Sequence, residues 1–173
     1  RVLTCGSFSK TAAPGYRIGW IVAHGLRSEV ARLKRSMSNS SGLLQQMALA
    51  DFLASGDYSR HLRALRPALQ QNMERMNALI EEHFPSDTRT SRPVGGCVLW
   101  LELPRMVSAE ELFDQALENG ISIAPGPIFS PRGRYKNFVR LSFGHRWSNE
   151  IESAVQWLGE RVTAMAERKG RDS

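Results

Sequence analysis

Residues 1–20, RVLTCGSFSKTAAPGYRIGW, decide how the rest of the chain is read. Residues 2–5 form an apolar run closed by Gly6, and residues 18–23 form a second between Gly15 and Gly25. Both runs are too short for helices and rich in β-formers, so each predicts a short buried strand. The loop between them is built from small residues around one lysine, Lys10, and one arginine, Arg17. A lone lysine in a loop is ordinarily just solvated. A nucleotide P-loop is the second reading, since Lys10-Thr11 resembles its end. That motif needs glycine just before the lysine and again five positions earlier, where this chain has Ser9 and Thr4. The third reading is a pyridoxal phosphate site. It needs an amine to condense with an aldehyde, together with hydroxyls, backbone N–H groups and a fixed cation for a phosphate dianion. Residues 6–10, GSFSK, offer the hydroxyls, the turn and the amine, and Arg17 offers a guanidinium that stays charged at any useful pH.

Outward from this loop, residues 26–37 and 43–53 predict two helices. In residues 58–84, Tyr58, Leu62, Leu65, Leu69, Met73, Met76, Ile80 and Phe84 recur at steps of three or four, the strongest helical signal in the chain. Pro67 inside it predicts a kink or break. Past Pro85 the texture changes. Residues 97–103 read as a strand, and Ser108 with Glu111 as a capping box opening a helix over 109–119. Residues 121–124 and 138–143 read as further strands, and a last helix starts at Ser148, its expected N-cap. The resulting division is 1–57, 58–84 and 85–173: two strands of an α/β sheet with their helices, a long connecting helix, and a small α+β domain.

The chain has 173 residues, 42% of them hydrophobic and 23% charged, the balance of a globular protein. No apolar run approaches the roughly 20 residues of a membrane helix. The first residue is Arg1, so the chain reads as a fragment or processed product of something longer. Cys5 and Cys97 sit in apolar runs and read as buried thiols of a reducing, cytoplasmic compartment. No ligand cluster suggests a metal. The net charge of +6 is spread along the whole chain, which reads as a solvated basic surface rather than a DNA-binding arm. The tail 168–171 is expected to fray. In residues 138–143, Val139, Leu141 and Phe143 suit a core face, while Phe138, Arg140 and Ser142 share the other. A mid-strand arginine calls for an anion: an internal carboxylate such as Glu102, or the carboxylate of a ligand.

Residues 6–20 resemble the lysine loop of the fold-type I pyridoxal phosphate enzymes, the aspartate aminotransferase superfamily. The pattern is Ser-x-x-Lys followed by Arg-x-Gly. The resemblance implies that Lys10 forms the internal aldimine, that Ser7, Ser9 and Arg17 bind the cofactor phosphate, and that Arg140 grips a substrate carboxylate. The short Lys-to-Arg spacing is similar to that of aminoadipate-type aminotransferases and of MocR regulators. Residues 91–104, SRPVGGCVLWLELP, and 120–130, GISIAPGPIFS, together with Gly133-Arg134-Tyr135, residues 140–144, RLSFG, His145 and Trp147-Ser148, are similar to stretches of MocR-type proteins. MocR proteins are GntR-type regulators that join a winged helix to an aminotransferase-like domain. The resemblance thus implies the C-terminal part of a PLP-dependent fold and a homodimer in the full-length protein. A small amine or amino acid is the expected ligand, and DNA would be reached only through a separate N-terminal domain. The aspartate that pairs with the pyridine nitrogen and the aromatic stacked on the ring would lie upstream, leaving the isolated chain a poor cofactor binder. A ligand-sensing regulator, a free-standing class I/II aminotransferase and a structural remnant all fit these motifs.

Overall fold

The computed structural model describes residues 2–171. They divide into two compact units, split between Arg66 and Pro67.

In the first unit, strands β1 (Thr4–Ser7) and β2 (Gly19–Val22) pair antiparallel, with Cys5 opposite Ile21 and Gly6 opposite Trp20. The strands were expected to be buried, and they are not. Trp20 is 45% and Ile21 47% exposed, and Cys5 is exposed too. Burial of a strand needs a packed layer on its faces, and this two-stranded ribbon has none among the described residues of its unit. Helices α1 (Arg27–Ser38) and α2 (Leu43–Ala54) follow, within a residue or two of their expected bounds.

Helix α3 (Asp57–His83) runs through Pro67 without a break, one of the two outcomes expected there. A proline removes one donor from the ladder and crowds the preceding turn, at a cost of roughly 3 kcal/mol. Here the apolar stripe C-terminal to it is anchored, since Met76, Ile80 and Phe84 belong to the core of the second unit.

That core underlies a four-stranded antiparallel sheet in the order β3 (Arg89–Thr90), β4 (Val98–Glu102), β6 (Phe138–Ser142) and β5 (Ala124–Pro125). Alternation along β4 and β6 divides the side chains as a pleat requires. Leu99, Leu101, Val139 and Leu141 are buried against helices α4 (Ala109–Glu118) and α5 (Asn149–Arg171), whereas Trp100 and Arg140 take the opposite face. Asn72 of α3 donates to the carbonyls of Phe143 and His145 at 3.0 and 2.9 Å, fixing the end of β6. Ser108 caps α4 as expected, its hydroxyl accepting from the Glu111 N–H.

Two boundaries depart from the expectation. Residues 121–123 are not strand, because the Ile121 N–H returns to the Ala116 carbonyl at 2.8 Å and the Gly120 N–H to Leu117 at 3.0 Å. This is a Schellman ending, made possible by Gly120 at φ 74°. The tail 168–171 is helical rather than frayed, for Arg168 and Lys169 both meet Glu111 of α4. No described helix is long and apolar enough to cross a membrane.

Partial burial pushes the Glu111 carboxyl up, but the hydrogen bond and charge of Arg168, aided by Lys169, pull harder the other way. Its pKa therefore lies below the usual carboxylate value. A depressed carboxylate stabilises the fold above its unfolded pKa and loses that contribution as pH falls through its folded one. Glu111→Gln should accordingly cost about 0.5–1 kcal/mol in urea unfolding at neutral pH. The gap should narrow as the titration is repeated from about pH 5 down to about pH 3; a pH-independent gap would assign the loss to packing.

Candidate functional site

The ladder of β1 and β2 extends one step further, the Phe8 N–H donating to the Ile18 carbonyl at 3.0 Å. The Phe8 carbonyl then accepts from the N–H groups of Thr11, Ala12 and Ala13 at 3.2, 2.8 and 3.2 Å, winding the chain into a turn that holds Ser9 and Lys10. A 3₁₀ turn, Pro14–Tyr16, brings it back to Arg17. Two glycines nearby allow close approach, Gly6 to a side chain and Gly19 to backbone. A Cβ on Gly6 would fall 2.5 Å from the Trp20 indole, and one on Gly19 would fall 2.7 Å from the Gly6 carbonyl oxygen.

The returning chain sets Arg17 in the left-handed region, φ 54° and ψ 37°, a conformation that costs a residue with a Cβ about 1–2 kcal/mol. There its guanidinium donates from Nη1 to the Ser9 hydroxyl at 3.1 Å. The Ser9 N–H in turn donates to the Ser7 hydroxyl at 3.2 Å. Ser7, Ser9 and Arg17 thus form one hydrogen-bonded cluster, and Lys10, exposed and next to Ser9, lies on the same turn. Among the described residues, neither Lys10 nor Arg17 has a carboxylate partner. Hydroxyls, a fork of N–H donors and an amine, with no anion of the protein's own, are a donor set that suits a phosphate dianion beside an aldehyde.

The turn is held from outside by a residue that sequence reasoning placed only on an apolar stripe. Tyr58, in the first turn of α3, donates its hydroxyl to Thr11 Oγ1 at 3.0 Å. Its ring meets Phe8 and Phe52 edge-on at 6.0 and 5.9 Å. The available signal was chemical: a tyrosine on a packing stripe must still find a partner for its hydroxyl.

Arg140 belongs to the second unit. It lies mid-strand, opposite Trp100 of β4 and Ala124 of β5. The internal alternative, Glu102, stands opposite Phe138 and makes no ion pair with it. The guanidinium carbon instead lies 4.8 Å from the centroid of the Phe129 ring, a contact the sequence reading did not identify. A groove of about 900 Å³ in this unit, lined among others by Ile121, His145 and Ile151, contains none of the candidate residues. No cluster of described residues has the makings of a metal site.

Comparison with known proteins gives this arrangement a family. The model of aminotransferase class I and II matches residues 1–158, and the chain belongs to that family. It is 36% identical over 94% of its length to the uncharacterized HTH-type transcriptional regulator YjiR of Escherichia coli, covering 34% of that protein. It is 32% identical over 95% of its length to the 2-aminoadipate transaminase of Thermus thermophilus, covering 41% of it. The crystal structure of LysN, an α-aminoadipate aminotransferase of Thermus thermophilus complexed with N-(5'-phosphopyridoxyl)-L-leucine, superposes with a TM-score of 0.88. It is 31% identical over 95% of this chain and 42% of that one. The chain therefore spans between a third and a half of the length of these relatives.

Tyr58→Phe keeps both ring contacts and deletes one hydrogen bond. In the full-length protein it should lower the hydrogen-exchange protection of the amides of residues 11–13 by about 0.5–1.5 kcal/mol, with no change in global unfolding. Unchanged protection would mean that the hydroxyl does not hold the turn.

Proposed function

We propose that this chain is the pyridoxal-phosphate-binding region of a MocR/GntR-type transcription regulator that senses a small amine or amino acid. The observation that carries the reading is the Arg17–Ser9 hydrogen bond on a turn where, among the described residues, no carboxylate neutralises the guanidinium. Ser7, Ser9 and Arg17 would hold the phosphate, with Arg17 supplying a permanent charge and the serines supplying O–H donors. Lys10 supplies the amine that tethers the cofactor and that an incoming amine displaces. When bound, pyridoxal phosphate contributes an electrophilic carbon and an electron sink. Arg140 would take the ligand's carboxylate, for which its N–H donors, without a carboxylate partner among the described residues, are suited. In the full-length protein, a ligand that binds one domain arrangement better than another shifts the population toward it, and an attached winged helix would report that shift to DNA.

Identity to regulators supports this reading: YjiR at 36% and YdcR, also of Escherichia coli, at 37%, against 32% for the transaminase. The second reading is a free-standing aminotransferase, in which Lys10 also carries the proton between substrate and cofactor. The transaminase match over 95% of the chain favours it. Turnover of an amino acid with a 2-oxo acid, against ligand-dependent DNA binding without turnover, separates the two in the full-length protein.

Lys10→Ala in the full-length protein should abolish the visible absorbance acquired with pyridoxal phosphate, and borohydride should no longer fix the cofactor to the peptide holding residue 10. A variant that keeps the band and is labelled on the same peptide would contradict the assignment. Arg140→Ala should weaken an amino-acid ligand by about 1.5–3 kcal/mol and leave cofactor affinity unchanged. Equal loss of both in absorbance titrations would give Arg140 a structural role instead.

A further inference from the structure

Arg140 is exposed, long and without a carboxylate among the described residues, yet its guanidinium sits 4.8 Å from the Phe129 ring centroid. Resting on the proposed role of Arg140 as the carboxylate anchor, we propose that Phe129 is its positioning residue, holding the guanidinium ready by a cation–π contact.

The chemistry favours a ring over an acid for this task. A carboxylate would fix the guanidinium by occupying its N–H fork. A ring face attracts the cation through its quadrupole and takes up no donor, so the five N–H groups stay available to an incoming carboxylate.

The ring is itself held in place. Phe129 meets the Trp100 indole edge-on, 5.5 Å between centroids and 77° between planes. Trp100 stacks on Phe138 at 5.6 Å and 26°, and Tyr135 closes on both at 5.6 and 5.4 Å. The backbone is equally constrained. Phe129 ends the 3₁₀ turn Gly126–Phe129, and a Cβ on Gly126 would lie 2.2 Å from the Tyr135 carbonyl oxygen. The turn therefore packs directly on the segment that leads into β6. That segment is tied down in turn: Asn137 exchanges hydrogen bonds with Leu103, its carbonyl accepting at 2.8 Å and its amide donating at 2.7 Å. Trp100 and Arg140 are register partners on neighbouring strands, so indole, ring and guanidinium share one side of the sheet.

The test uses the full-length protein loaded with pyridoxal phosphate. L-leucine, the amino acid captured in the LysN complex, and its decarboxylated counterpart 3-methylbutylamine are titrated by absorbance. The wild type should prefer leucine, and Arg140→Ala should erase that preference. Phe129→Leu should reduce the preference by about 2- to 5-fold through leucine affinity alone, leaving amine affinity and unfolding midpoint unchanged, and Phe129→Tyr should restore it. A wild type without preference, or without leucine binding, overturns the Arg140 reading and this inference with it. A preference lost in Arg140→Ala but intact in Phe129→Leu overturns only the inference. Parallel loss of amine affinity in Phe129→Leu, unrescued by Phe129→Tyr, also overturns it, since a merely structural ring would behave that way.

Discussion

A guanidinium cannot shed its charge at any physiological pH, so a loop or strand that carries one keeps a fixed cation at that point. This constraint organises both halves of the chain. Arg17 is bent into a left-handed conformation and rests on the Ser9 hydroxyl. Arg140 stands mid-strand and rests on the Phe129 ring. Among the described residues, Arg60 pairs with Asp57 and Arg168 with Glu111, while Arg75 lies 5.9 Å from the Trp147 ring centroid. The two candidate site cations have a hydroxyl and an aromatic ring, partners that orient a guanidinium and leave it able to bind an anion.

The surrounding fold serves to keep these two arginines in place. On the first, the close approach of Gly19 to Gly6, the triple acceptance by the Phe8 carbonyl and the Tyr58–Thr11 bond define the turn. On the second, the buried residues of β4 and β6 fix the strands, and the buried Gly126 fixes the turn that delivers Phe129. The strain at Arg17 is small beside such support. A residue with a Cβ at positive φ persists where its neighbours over-determine it, which occurs at binding sites more than elsewhere.

Much of this was legible in the sequence because it depends on local chemistry. The alternation of residues 138–143 assigned Arg140 to the open face, and Ser108 with Glu111 announced the start of α4. The residue types from Ser7 to Arg17 suggested hydroxyls and a fixed cation on one loop, and the structure brings Ser7, Ser9 and Arg17 together. What escaped the sequence depends on the third dimension. The exposure of β1 and β2 follows from which layers cover them, not from their own composition. Helix α3 passes through Pro67 because distant core residues hold its second half. Tyr58 and Phe129 read as packing residues, since nothing in a linear pattern says that a hydroxyl meets Thr11 or that a ring meets a guanidinium. Ile121 has a strand-forming side chain but its N–H is used to end a helix.

The proposed role of the turn holding Ser7, Ser9 and Arg17 is to bind a phosphate as its dianion. Phosphorus NMR of the full-length protein with pyridoxal phosphate, followed across pH, tests it most directly. A free phosphate monoester titrates near pH about 6. Bound beside a fixed guanidinium, its resonance should stay at the dianion position from about pH 5 to about pH 8, and Arg17→Gln should make it titrate. A bound resonance that titrates like the free ester in the wild type would contradict the account.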